Sequence, residues 1–121
     1  MILKRLEENL TVCRLKNLWC FQADTPFFFL ARTDEEISLV CRTEDVPAET
    51  AAREDGWRAF RIQGILDFSL TGILSELSAV LAGRGIGIFA VSTYNTDYIL
   101  VKAENLDRAM SALAAEGYDI V

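Results

Sequence analysis

The chain contains no histidine, and that absence removes a large share of small-protein chemistry. Without imidazole there is no Ser-His or Cys-His nucleophile pair, and most zinc chemistry is excluded. The three cysteines, Cys13, Cys20 and Cys41, are odd in number and lack Cys-x-x-Cys spacing. They lie among apolar neighbours, as reduced, partly buried thiols do, and no histidine stands by to activate one. Basic clusters are missing too: 12 Lys and Arg are scattered along the chain against 18 Asp and Glu, for a formal charge of −6. Nucleic-acid binding needs clustered cations to displace counterions, so it is not expected. No apolar run approaches the roughly 18 residues that span a bilayer; Phe27 to Ala31 and Ile86 to Val91 are strand-sized. MILKRLEEN at the start has acidic residues where a signal peptide has its apolar core. A cytoplasmic protein without membrane association is the expectation.

What remains is globular. Of 121 residues, 51% are apolar and 25% charged, with only 2 prolines and 7 glycines, which suits one compact domain or two small halves sharing a core. The second half carries the clearer pattern. Trp57 to Gln63 alternates well enough for a strand, with Gly64 after it. Asp67, Ser69 and Thr71 then offer side chains able to cap a helix. Ile73, Leu74, Leu77, Val80 and Leu81 fall on one helical stripe of about three turns, which Gly83 and Gly85 can end. Ile86 to Ser92 reads as a strand so continuously apolar that a central place in the sheet is expected. Asp97 to Lys102 pairs with it across a turn centred on Tyr94-Asn95-Thr96. A second helix is expected over about 105–116, with Leu106, Ala109, Met110 and Leu113 inward and Gly117 as its stop, and Tyr118 to Val121 can close the sheet. The order β, α, β, β, α, β is the ferredoxin-like plan of the α+β class, an antiparallel sheet with two helices on one face.

The first half is less regular. Leu10 to Leu15, Pro26 to Arg32 and Ile37 to Arg42 read as strands, the last two as a hairpin around Thr33-Asp34-Glu35-Glu36. Asn17 to Asp24 can hold a helical turn, and Val46 to Arg53 a short helix starting near Pro47. Residues 1–56 therefore look like a shortened copy of the plan that 57–121 completes, a repeat in element order rather than residue identity. No Gly/Ser/Pro linker stands at the join, so close packing of the halves is expected.

Residues 67 to 102, DFSLTGILSELSAVLAGRGIGIFAVSTYNTDYILVK, resemble the ACT-domain family, in particular aspartokinase-type ACT repeats and the short tandem-ACT proteins related to the CASTOR arginine sensors. The elements that carry the likeness are Ser69 to Leu74 with Gly72, the helix ending in Gly83 to Gly85, the Ile86-to-Phe89 strand, Ser92-Thr93, and Asp97 to Val101. WRAFRIQG at 57–64 and TVCRL at 11–15 add to it. The resemblance implies a regulatory small-molecule-binding protein, usually for amino acids, working at an interface between two ACT units; it does not imply catalysis, and neither an enzyme nor a cofactor is expected. A homodimer and a regulated protein partner are the associations it brings with it.

A family site of this kind lies where the loop from first strand to first helix faces the second strand of a neighbouring unit. Here that names Asp67, Phe68, Ser69, Leu70, Thr71, Gly72 and Ile73 on one side. Ile88, Phe89, Thr93, Asn95 and Asp97 stand on the other. The unpaired N–H groups and the dipole at a helix start suit an α-carboxylate. Asp67 reads either as a cap or as a partner for an α-ammonium group, and Gly72 either as a packing glycine or as a point of close ligand approach. Ser92 to Asp97 is either a polar hairpin turn or the rim of a site. Aspartokinase sites often carry an acidic residue where this chain has Phe89, so Asp67, Asp97 or backbone carbonyls must hold the ammonium instead. The alternative is a module that homodimerises through its ACT surfaces and binds nothing small. GRGIG at 83–87 follows a helix and precedes a strand, the reverse of a phosphate loop.

Overall fold

The computed structural model describes residues 1–67 and 71–121. The chain forms two units: Glu8–Trp57, and Met1–Glu7 together with Arg58–Val121. In chain order the elements are β1 (Ile2–Arg5), β2 (Leu10–Arg14), β3 (Phe28–Arg32), β4 (Ile37–Arg42), β5 (Ala52–Ile62), α1 (Ile73–Ala82), β6 (Phe89–Ser92), β7 (Asp97–Lys102), α2 (Leu106–Ala115) and β8 (Asp119–Ile120). Short 3-10 turns occupy Leu18–Cys20, Thr43–Asp45 and Ala103–Asn105.

In the larger unit the strands lie in the order β6-β7-β5-β1-β8. The β5-α1-β6-β7-α2-β8 succession is the expected ferredoxin-like plan, with one addition. In that plan the last strand lies beside the first; here β1 sits between them, antiparallel to β5 (Leu3 opposite Ile62, Lys4 opposite Arg61) and parallel to β8. Nothing in the sequence reading anticipated β1. Its residues are ILKR, with two long cations and one fully buried side chain, Leu3, too short and too polar to show a strand's alternation.

Both helices follow their apolar stripes. Leu77 and Leu81 of α1 and Ala109 and Leu113 of α2 are fully buried in one core with Leu3, Phe60, Ile62, Ile99 and Val101 of the sheet. Each helix stops in the same way. Gly85 (φ +70°) and Gly117 (φ +97°) take the left-handed conformation that side chains disfavour. Around them Gly85 N–H donates to Ala82 O and Ile86 N–H to Leu81 O, while Gly117 N–H donates to Ala114 O and Tyr118 N–H to Leu113 O, at 3.0–3.1 Å. Those paired bonds form the Schellman motif, and the residue after each glycine returns to the core beside the helix's last turn.

Two expectations for this unit are corrected. The N-cap of α1 is Gly72 at φ +80°, with no side-chain capping bond, in place of an Asp, Ser or Thr cap. Strand β6 lies at the end of the strand order, paired with β7, and is not central. The apolar run misled because Ile86 belongs to the helix stop rather than the strand, while Phe89 and Val91 are only half-buried.

In the smaller unit the order is β3-β4-β2-β5, antiparallel throughout, with β5 contributing its first residues. This is the same strand order as β6-β7-β5-β8 would be, with a 3-10 turn, Leu18–Cys20, where the larger unit has α1, and β5 soon after the Thr43–Asp45 turn where it has α2. The helix expected over 46–53 is absent: β5 already begins at Ala52, and Ala51 N–H donates to Arg14 O. That segment is drawn into pairing with β2 instead of coiling. Thr11, fully buried, donates to Asp55 Oδ1 at 2.7 Å and bonds Thr43 Oγ1 at 3.0 Å, where the β2–β5 register shifts. Cys13, Leu15, Leu39 and Cys41 form one buried cluster of this unit.

Several local features recur at an offset of 60 between 33–45 and 93–105. Strands β4 and β7 share one burial pattern. Arg42 and Lys102 both precede a 3-10 turn at φ −59°, ψ 141°. Thr33 N–H donates to Glu36 O, and Thr93 N–H to Thr96 O, closing equivalent turns. Phe29/Phe89, Thr33/Thr93 and Glu44/Glu104 are identical across the repeat.

Candidate ligand cleft

The β6–β7 turn owes its shape to threonines. Thr93 Oγ1 donates to Thr96 O and accepts Thr96 N–H, and Thr96, almost fully buried, donates from Oγ1 to Ile62 O at 2.7 Å. Ser92 Oγ donates to Asp97 Oδ1 at 2.6 Å. A further bond, Leu66 N–H to Asn95 O at 2.7 Å, ties the turn to the segment that leads into α1. The polar patch at 92–97 is therefore a turn tied through Asn95 and Thr96 to β5 and its following loop.

Between this turn and the start of α1 lies a cleft of about 350 Å³. One wall is Leu66, Asp67, Gly72 and the first residues of α1 through Ser75; the other is the whole turn from Ser92 to Asp97. Gly72 O accepts from Glu76 N–H, the first helical bond. The N–H groups of Ile73, Leu74 and Ser75 thus precede the helical ladder, at the end where the dipole is positive. Asp67 and Asp97 add carboxylates to the same cleft.

Of the residues singled out in the sequence, Asp67, Gly72, Ile73, Thr93, Asn95 and Asp97 meet around this one cleft. Thr71 is exposed and outside the lining, Ile88 packs against the core, and Phe89 pairs with Leu100 in the sheet. Phe68, Ser69 and Leu70 lie outside the described residues. Leu66, Leu74 and Ser75 line the cleft without having been named as site residues, and Ser92, Tyr94 and Thr96 join it from the 92–97 turn. Ser75 could have been found from helix geometry, since it stands three residues after Gly72.

The ACT domain sequence profile matches residues 52–115, more than half of the chain. The chain belongs to the ACT domain family. An Agobacterium tumefaciens protein of known crystal structure is similar to this ACT chain at 32% identity, over 98% of this chain and 90% of the other, with a TM-score of 0.85. A Vibrio cholerae protein of unknown function, described as a possible transport protein, matches at 18% identity and TM-score 0.75, over 92% and 85%. The allosteric aspartate kinase of Clostridium acetobutylicum matches at 10% identity and TM-score 0.66, over 92% of this chain and 33% of its own length. These last two likenesses concern the fold alone. Among the described residues no ACT helix is long and apolar enough to cross a membrane.

Proposed function

We propose that this chain is a regulatory ACT protein that binds an amino acid or a similar zwitterion in the cleft between α1 and the β6–β7 turn. The observation that carries the reading is the pairing of opposite electrostatic features across one small space: helix-start N–H groups on one wall and two carboxylates beside them. An α-carboxylate satisfies the former and an α-ammonium the latter, and a cleft of about 350 Å³ is at the small end of the usual range for ligand pockets. Thr93 and Asn95 contact the bound molecule from the turn. A second ACT unit, supplied by a homodimer, covers the open side. The ligand regulates by favouring one assembly, or one state of a protein partner, over another. The protein acts in the cytoplasm, without catalysis.

The test is thermal unfolding against the common amino acids, with purines and pyrimidines as controls. A ligand at about 100 times its dissociation constant adds roughly 2.7 kcal/mol. One selective rise in midpoint, abolished by Asp67→Asn, is the expected result. A flat response across a saturating panel sinks the reading.

One observation favours a second reading, a ligand-free dimerisation module: β6 is an edge strand carrying half-buried Phe89 and Val91, a surface able to pair with another copy. A concentration-dependent dimer with the flat panel response would select it.

A further inference from the structure

The β6–β7 turn also borders a second cleft. Thr93, Asn95 and Thr96 line a space of about 340 Å³ whose other residues are Arg61, Gln63, Gly64, Ile65 and Tyr98. In β5, Phe60 and Ile62 enter the core with the helices, so Arg61 and Gln63, alternating with them, belong to the opposite face of the sheet. Arg61 is held in place there. Its Nε–H donates to Gln63 Oε1 at 3.1 Å, one Nη–H donates to Tyr98 OH at 3.4 Å, and the guanidinium carbon stands 6.0 Å from the Tyr98 ring centre. Lys4 is its direct neighbour across the β1–β5 ladder.

Arg61 has five N–H donors. The bonds to Gln63 and Tyr98 use two and restrain the guanidinium, so the donors beyond them form the fork a ligand meets. A planar fork of this kind matches a carboxylate, whose two oxygens lie in one plane, better than it matches a point charge. The described lining of this cleft includes no Asp or Glu, whereas the first cleft has Asp67 and Asp97. A free ammonium group therefore has no anionic partner among the described lining residues and meets Arg61 instead. Ile65, 78% exposed, and the Tyr98 ring offer an apolar surface beside the cation.

We propose that this second cleft binds a small carboxylate that carries no ammonium group, gripped end-on by Arg61 with its apolar body against Tyr98 and Ile65. The two clefts then share the threonine-fastened turn as a common wall and differ in the charge they accept. The site does not depend on the amino-acid reading of the first cleft, and its probe is chosen so that the two succeed or fail separately.

The experiment is a titration of uniformly 15N-labelled protein, read at the Arg61 Nε–H and at the Thr93, Asn95 and Thr96 amides. The probes are benzoate, inorganic phosphate and leucine. Benzoate is expected to shift Arg61 and the turn, with Arg61→Gln weakening it at least tenfold. Arg61→Lys, which keeps the charge and loses the fork, is expected to weaken it several-fold. Because Arg61 is only partly buried, both variants should retain the wild-type amide spectrum elsewhere, which the same data verify. The proposal is overturned if benzoate leaves Arg61 unmoved up to about 10 mM, a weak limit for any specific site. It is equally overturned if Arg61→Gln binds benzoate like the wild type, or if phosphate or leucine perturbs Arg61 as strongly as benzoate.

Discussion

Replacing Thr96 by valine removes one hydroxyl and almost no volume, and the account makes that a costly change. Thr96 is 6% exposed, and its Oγ1 donates at 2.7 Å to the carbonyl of Ile62, the last residue of β5. Valine keeps the β-branch and the packing, so the loss is one buried hydrogen bond together with an acceptor left unsatisfied, worth about 1–3 kcal/mol. Unfolding entropy near 60 °C is about 2.1 cal/mol/K per residue, or about 250 cal/mol/K for this chain. A loss of about 2 kcal/mol then lowers the midpoint by about 8 °C. Differential scanning calorimetry of Thr96→Val beside Thr96→Ser reads this directly, because serine retains the hydroxyl and loses only a methyl. Serine is expected to fall less than valine. A valine variant within about 1 °C of wild type, or a serine variant falling equally far, would show that the turn is not fastened to β5 by this bond.

Other consequences are as direct. Gly85→Ala and Gly117→Ala force a Cβ onto left-handed backbone at φ +70° and +97°; each should lower stability by about 1–2 kcal/mol in urea unfolding, although open space surrounds both glycines. Burial raises the Cys13 thiol above its ordinary pKa and pushes Cys41 up to about 12 from 9.0. The folded state thus keeps on Cys41 a proton that the unfolded chain releases, and that stabilisation is complete below pH 9 and lost as pH rises from there toward 12. Cys41 contributes a fall of about 1.4 kcal/mol per pH unit in that window, and Cys41→Val should flatten the profile. Half-buried Cys20 should react with a thiol reagent before the two buried cysteines do.

The parts of the fold legible in the sequence were those with a local cause. The stripe through Leu77 and Leu81 and the stops at Gly85 and Gly117 are complete within a dozen residues, and the structure uses them as read. The parts that escaped depend on partners far along the chain. Strand β1 exists because Leu3 finds Ile62 across the sheet, and the 46–51 segment avoids a helix as Ala51 is tied to Arg14. Edge or centre could not be read for β6, because position in a sheet is a property of neighbours and not of the strand's own residues. The cleft shows the same division. Gly72 and the 92–97 turn announce themselves by residue type, but their closeness rests on the bond from Leu66 to Asn95, which spans 29 residues of chain. Phe89 lies in β6 opposite Leu100, on the strand where the likeness to the family puts it.

The central claim is that the helix start and the turn form one amino-acid site, and amide chemical-shift mapping with the amino acid selected by thermal unfolding tests it most directly. The account predicts shifts concentrated at Gly72 to Ser75 and Ser92 to Asp97, saturating together with one dissociation constant and lost in Asp67→Asn. Shifts spread over other elements, or a saturating response that leaves both of those segments unmoved, would contradict it.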